Sequence, residues 1–145
     1  MRTILFSSLV AGLLASITGW AVTLHPPSAT SEQSAQRHPI QLKDATAILG
    51  RWTLVEVAPR ATGPRIPENR TWEFKPDGSL ITSGYNRHFK REDRQEFHYQ
   101  VKDGMIVTDL PGRPDKQLIY QVYDLKNGDL ILQGGVEGFY FFKRK

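Results

Sequence analysis

The chain contains no cysteine. That excludes a disulfide framework, a thiolate nucleophile, a cysteine-ligated metal and an iron–sulfur cluster. It also excludes a lipid-modified N-terminal cysteine. Histidine is scarce, four in 145 residues. His25 and His38 sit in a polar N-terminal tract, with no carboxylate or third ligand at useful spacing, so no metal site is expected. Charge of one sign is weak too. The net charge is +4, and the basic residues are mostly interleaved with acids, which reads as solubility and not as a nucleic-acid footprint. No Ser/His/Asp spacing stands out, so no catalytic residue, no cofactor and no enzymatic activity are expected. Helical periodicity is almost missing. Only "LKDATAILG" (Leu42–Gly50) carries it, with Asp44 placed to cap and Gly50 to end it, and it is too short for more than a turn.

The chain begins with one long apolar run. Arg2 is followed by an uncharged stretch from Ile4 to about Leu24. A short basic start and an apolar stretch form the layout of a signal peptide, and Ala21 offers a cleavage point. The run is also long enough to be retained as a membrane anchor. Residues 1–24 are read as one or the other, and both place the remainder of the chain outside the cytoplasm, in the periplasm or extracellular space. Residues 25–41, rich in Pro, Ser and Gln, read as a flexible linker. Residues 42–145 read as a single folded domain.

From Arg51 onward the pattern has period two. Strands are expected at Trp52–Val57, Arg70–Lys75, Ser79–Tyr85, Glu96–Val101, Met105–Thr108, Gln117–Tyr123, Leu130–Gln133 and Phe139–Lys143. The connections carry turn chemistry. "KPDGS" offers Pro76 and Gly78, while Asp103-Gly104 and Asn127-Gly128 are hairpin signals. The implied fold class is all-β, an antiparallel up-and-down meander of about eight strands. Closing it into a barrel removes two exposed edges.

A short helical turn, then Gly50-Arg51-Trp52 opening the first strand, then this meander, resembles the lipocalins and the wider calycin group. The resemblance covers about Leu42 to Arg144 and is to minimal bacterial domains of that type. Their usual disulfide has no counterpart here, and Tyr123-Asp124-Leu125 is only a distant echo of the second family motif. The resemblance implies an eight-stranded barrel. It further implies that Trp52 at the closed end packs under a basic side chain just after the last strand, here Arg144. Gly50, Trp52 and Arg144 are therefore expected to hold the fold.

Strand parity nominates the candidate binding residues. Trp72, Phe74, Phe97, Tyr99, Tyr120, Phe139 and Phe141 share inward parity, as does Glu56 with Trp52 and Leu54, and this carboxylate lies either near the open mouth, in solvent, or at a ligand contact. These aromatics either fill the barrel or line a small apolar pocket. In the second case Glu56, Trp72, Phe74, Tyr99, Tyr120 and Phe139 would contact a small apolar or amphipathic ligand. The stretch Asn86–Arg94 reads as a solvated arm whose Arg87, His88, Lys90 and Arg91 would meet an anionic ligand or, together with loop 58–69, a partner such as an envelope protein or an exported enzyme to be inhibited. No nucleic acid is expected, and a membrane only through an uncleaved N-terminal segment.

Overall fold

Alternating apolar residues form strands wherever the sequence carries them. The computed structural model describes residues 38–110 and 112–145. The expected leader or anchor and most of the expected linker lie outside the described residues. The strands are β1 (Gly50–Ala58), β2 (Ile66–Phe74), β3 (Ser79–Asn86), β4 (Arg91–Lys102), β5 (Met105–Leu110), β6 (Arg113–Lys126), β7 (Asp129–Gly134) and β8 (Gly138–Arg144). Each pairs antiparallel with the next, and β1 pairs with β8, which closes the barrel.

Turn chemistry sets the register. Asp103 and Gly104 have φ of 51° and 77°, and Asn127 and Gly128 have 53° and 80°. Positive φ at both central residues is what a type I′ turn requires, and its twist matches that of the flanking strands. At "KPDGS", Asp77 Oδ1 accepts from Ser79 N at 2.8 Å, and Lys75 N donates to Ser79 O at 2.9 Å.

Three strands run further than their apolar alternation. β2 begins at Ile66, β4 at Arg91 and β6 at Arg113, where the sequence suggests Arg70, Glu96 and Gln117. All three extensions lie at the same end of the barrel, the end of the 59–65, 87–90 and 135–137 connections. There the ladder partners satisfy the backbone, while the residues are polar apart from Ile66 and two prolines, so hydrophobic periodicity carries no trace of the strand. The expected basic arm is thus mostly strand, and its turn is only residues 87–90.

Two parity expectations are corrected. The β1 register shifts between Leu54 and Glu56 against both neighbours. This bulge turns Val55 and Glu56 outward together and returns Val57 to the core. Glu56 therefore leaves the interior and pairs outside with Arg65, Nη1 to Oε2 at 2.8 Å. On β8, pairing of Phe142 with Leu54 and Tyr140 with Val57 puts Tyr140 and Phe142 inside. Phe139 and Phe141 face outward instead. There they join Ala58, with Val55, Ala61, Tyr123 and Ile131 packed on them, in a second apolar cluster. Phe141 carries the Arg65 guanidinium 3.9 Å above its ring. Phe139 meets Tyr123 edge-on at 5.3 Å. Both phenylalanines are buried within this outer cluster, to which the 59–65 connection contributes Ala61.

The other end is closed. The chain from Lys43 to Ile48 makes a bend and a single turn, with Ile48 N on Ala45 O at 2.9 Å and Asp44 Oδ1 accepting from Thr46 N at 2.8 Å. This presses Leu42 and Ile48 into the core. Trp52, with no exposed surface, donates its indole N–H to Ile48 O at 2.8 Å. The Arg144 guanidinium lies 4.2 Å over the Trp52 ring and donates to Leu49 O at 3.2 Å. Gly50 has φ of 107°, and a Cβ there would stand 3.4 Å from Arg144 Nη1. The Gly-x-Trp motif thus lets the backbone turn into β1 beneath the arginine.

Arg144 is exposed, so its cation–π contact and hydrogen bond together are worth about 1–2 kcal/mol. Arg144→Ala is expected to lower urea-unfolding stability by that amount, and Arg144→Lys to recover only part of it. Equilibrium denaturation followed by tryptophan fluorescence checks both.

Candidate functional site

The interior divides into a filled half and a hollow half. Trp72 on β2 is the partition. Its ring meets Tyr120 edge-on at 5.8 Å, Tyr140 at 5.6 Å and Phe142 at 5.1 Å, so β2, β6 and β8 touch across the barrel. Toward the closed end, Phe74 stacks edge-on against Tyr99 at 5.2 Å, and Tyr99 donates its hydroxyl to Lys75 O at 2.7 Å. Both rings are spent on packing.

On the other side of Trp72 lies a cavity of about 330 Å³. Its apolar wall is Leu54, Val57, Trp72, Leu80, Phe97, Tyr120 and Tyr140. Burial pushes the Tyr120 phenol well above its ordinary pKa, helped by Tyr140, and burial likewise raises Tyr140. Both are uncharged at neutral pH. Tyr140 Oη accepts from Val136 N at 3.1 Å and Glu137 N at 3.0 Å, which ties the β7–β8 turn across the cavity. Gly135 makes this approach possible, since a Cβ there would fall 2.5 Å from Tyr120 Cε1 and 2.8 Å from Tyr140 Oη.

The polar part of the wall is a connected network. Arg70, buried on β2, donates to Gly84 O at 3.0 Å and Thr82 Oγ1 at 3.2 Å. Its Nη2 stands 2.7 Å from Asp93 Oδ1, with both side chains 9% exposed. Asp93 Oδ2 accepts from Asn86 Nδ2 at 2.8 Å and Gln95 Nε2 at 3.1 Å. Burial alone would raise the Asp93 pKa, but Arg70 and Asn86 outweigh it and hold the carboxyl below its ordinary value. Thr108 also lines the cavity, and its buried hydroxyl has no hydrogen-bond partner.

The mouth is covered by the 87–90 turn. Asn86 Oδ1 accepts from His88 N at 3.0 Å and Phe89 N at 3.2 Å, which shapes that turn. Arg87 then bridges Glu68 on β2 and Glu137, whose Oε1 lies 2.6 Å from Nη2. His88 Nε2 meets the same Glu137 oxygen at 2.7 Å. Burial opposes the charge on Arg87, but Glu68 and Glu137 more than compensate and raise its pKa. The covering turn is thus strapped to two other sides of the rim.

The sequence-derived residues separate accordingly. Trp72 and Tyr120 line the cavity, as do Arg87 and His88 at its mouth. Phe74 and Tyr99 lie in the filled half, and Phe139 and Glu56 are on the outer surface. Lys90 and Arg91 do not line the cavity, and Arg91 sits 6.0 Å over the Phe89 ring. Sequence reasoning did not find Tyr140, Thr108 or the Arg70–Asp93 pair. Tyr140 was hidden by the inverted β8 parity. The alternation of Arg70 with Trp72 was the one signal that this arginine points inward.

No family model matches the chain, and no curated protein matches it. Two solved structures are similar. One is a lipocalin-like protein from Bacteroides uniformis, 18% identical, with a TM-score of 0.52, covering 68% of this chain and 99% of that one. The other is an uncharacterized protein from Bacteroides eggerthii, 18% identical, with a TM-score of 0.49, covering 67% of this chain and 98% of that one. Together with the closed eight-strand barrel, the first similarity shows that the fold is lipocalin-like.

Two variants probe this network. The Asp93 carboxyl titrates lower in the folded than in the unfolded chain. Its stabilisation is therefore full above the unfolded value of about 4 and is lost as pH falls through the folded value. Asp93→Asn is expected to cost about 3 kcal/mol at pH 7, because it leaves Arg70 buried without its charge partner. It should also flatten part of the acid limb of a melting-temperature profile. Glu137→Gln should loosen the strap, read as faster hydrogen exchange at the His88 and Phe89 amides with little change in global stability.

Proposed function

We propose that this chain is an exported binding protein that holds a small apolar or amphipathic molecule in the open half of its barrel. The observation that carries the reading is the cavity itself. A volume of about 330 Å³ is at the lower end of the range for small-molecule sites, and a mainly apolar wall with a few placed polar groups is their usual composition. A fully packed barrel would have no such space. The lipocalin-like fold supports the reading as well. Export rests on the N-terminal segment, with Arg2 before an apolar run that serves as signal peptide or anchor.

The role is binding, not catalysis, and the partner is a small molecule. Arg87 and His88, read from sequence as partner-facing, are engaged with Glu68 and Glu137 of the chain itself. That engagement favours a lid over a docking arm. Phe89 and Val136, 57% and 76% exposed, stand at the tips of the two turns that cover the mouth. They give an apolar molecule a first contact on its way in.

Native mass spectrometry of the full chain, purified from its own host, tests this directly. The expected result is a reproducible extra mass that disappears on denaturation. A clean protein mass, together with an unchanged melting temperature across fatty acids, long-chain alcohols, haem and isoprenoids, would rule out the carrier reading.

A further inference from the structure

We propose that the cavity selects an uncharged ligand whose hydroxyl or carbonyl group hydrogen-bonds Thr108, and that it discriminates against a carboxylate of the same shape. This rests on the carrier reading above and adds the ligand's charge and its anchoring residue.

The charge argument comes from the way every ionised group on the cavity wall is already matched. Arg70 is held by Asp93 at 2.7 Å. Arg87 lies between Glu68 and Glu137, and His88 is on Glu137. On the wall the guanidinium groups of Arg70 and Arg87 are balanced by the carboxylates of Glu68 and Glu137, with Asp93 paired to Arg70 behind it, so the wall offers an anion no net attraction. An incoming carboxylate must either displace Glu68, Glu137 or Asp93 from its arginine or lose water without gaining a partner, and both are unfavourable. An ammonium group meets the converse problem, because the carboxylates at the mouth are occupied by Arg87. An uncharged molecule disturbs none of these pairs.

The anchoring argument comes from Thr108. It is 2% exposed, lines the cavity, and its Oγ1 is buried without a hydrogen-bond partner. Buried hydroxyls are normally satisfied. This one stands beside an apolar space bounded by Trp72, Phe97, Tyr120 and Tyr140. A hydroxyl or carbonyl oxygen on a ring-bearing or aliphatic body would supply the missing bond while the body fills the aromatic surround. Gln95 is a second polar point on the wall. Asp93 is a carboxylate and can only accept, so Gln95 gives it Nε2, and its Oε1 is left uncommitted.

Calorimetry with matched probes tests the proposal on the full chain at pH 7.5. The probes are 2-naphthalenemethanol, 2-naphthoate and 2-naphthylmethylamine, with 1-decanol and decanoate as an aliphatic pair. In at least one of the two bodies the alcohol should bind about tenfold or more tightly than its carboxylate. Thr108→Val keeps the shape and removes the hydroxyl. It should weaken the alcohol by up to about tenfold, leave the carboxylate unchanged, and raise the melting temperature of the empty protein. Thr108→Ser should restore alcohol binding. Equal or tighter binding of the carboxylates overturns the selectivity and leaves the carrier reading intact. Equal loss of alcohol and carboxylate in Thr108→Val, or a lower melting temperature of the empty variant, overturns the role of Thr108. No binding by any probe, together with a clean native mass, overturns the carrier reading and this inference with it.

Discussion

Pairing of β1 with β8 is the constraint on which the rest of the molecule depends. Among the described strands it leaves no edge open, and it fixes the width of the interior. Once the ladder is closed, each inward side chain competes for a space of set diameter. The contact that seals the closure is local. Trp52 opens β1, Arg144 ends β8, and the guanidinium lies over the indole while reaching the carbonyl of Leu49 in the preceding segment. Three parts of the chain meet at one arginine, which comes from the far end of the sequence.

The same closed ladder divides the interior. Trp72 spans it by touching Tyr120 on β6, the strand opposite, and Tyr140 and Phe142 on β8. Below this partition Phe74, Tyr99 and the inserted Leu42 and Ile48 leave the core filled. Above it, the apolar wall is interrupted by Arg70, Thr82, Gln95 and Thr108, and the first three are fixed in place by hydrogen bonds and by the Arg70–Asp93 pair. The cavity is therefore a consequence of placing polar groups where a core would otherwise form. The Arg70–Asp93 pair then serves the shape of the pocket more than its charge.

The lid obeys the same logic. The 87–90 turn stays over the mouth because Arg87 and His88 share Glu137, and Arg87 also holds Glu68. Ion pairs that are partly solvated are individually modest, so the turn is held by several weak contacts and not by one strong one. The Tyr140 hydroxyl fastens the opposite turn from inside. A ring in the cavity wall thus also positions one edge of the entrance.

Much of this was legible in the residues alone. Period-two alternation and the Asp103-Gly104 and Asn127-Gly128 turns determined an antiparallel meander, because side chains alternate across a strand and only particular residues take positive φ. Gly50, Trp52 and Arg144 were placed by the resemblance to the lipocalins, in which that motif closes the barrel locally. Parity failed at two places, at one because it assumes unbroken strands and at the other because alternation by itself does not say which face of a strand is the inner one. The bulge after Leu54 turned Glu56 out, and the register of β8 against β1 put Tyr140 and Phe142 inside in place of Phe139 and Phe141. Both are decided by pairing with a neighbouring strand, which no local window contains. The cavity and the pairing of Arg70 with Asp93, Arg87 with Glu68 and Glu137, and His88 with Glu137 were likewise left to the tertiary structure. Charges separated along the chain have no partner until the barrel closes and brings β2, β4 and the two mouth turns together around one space.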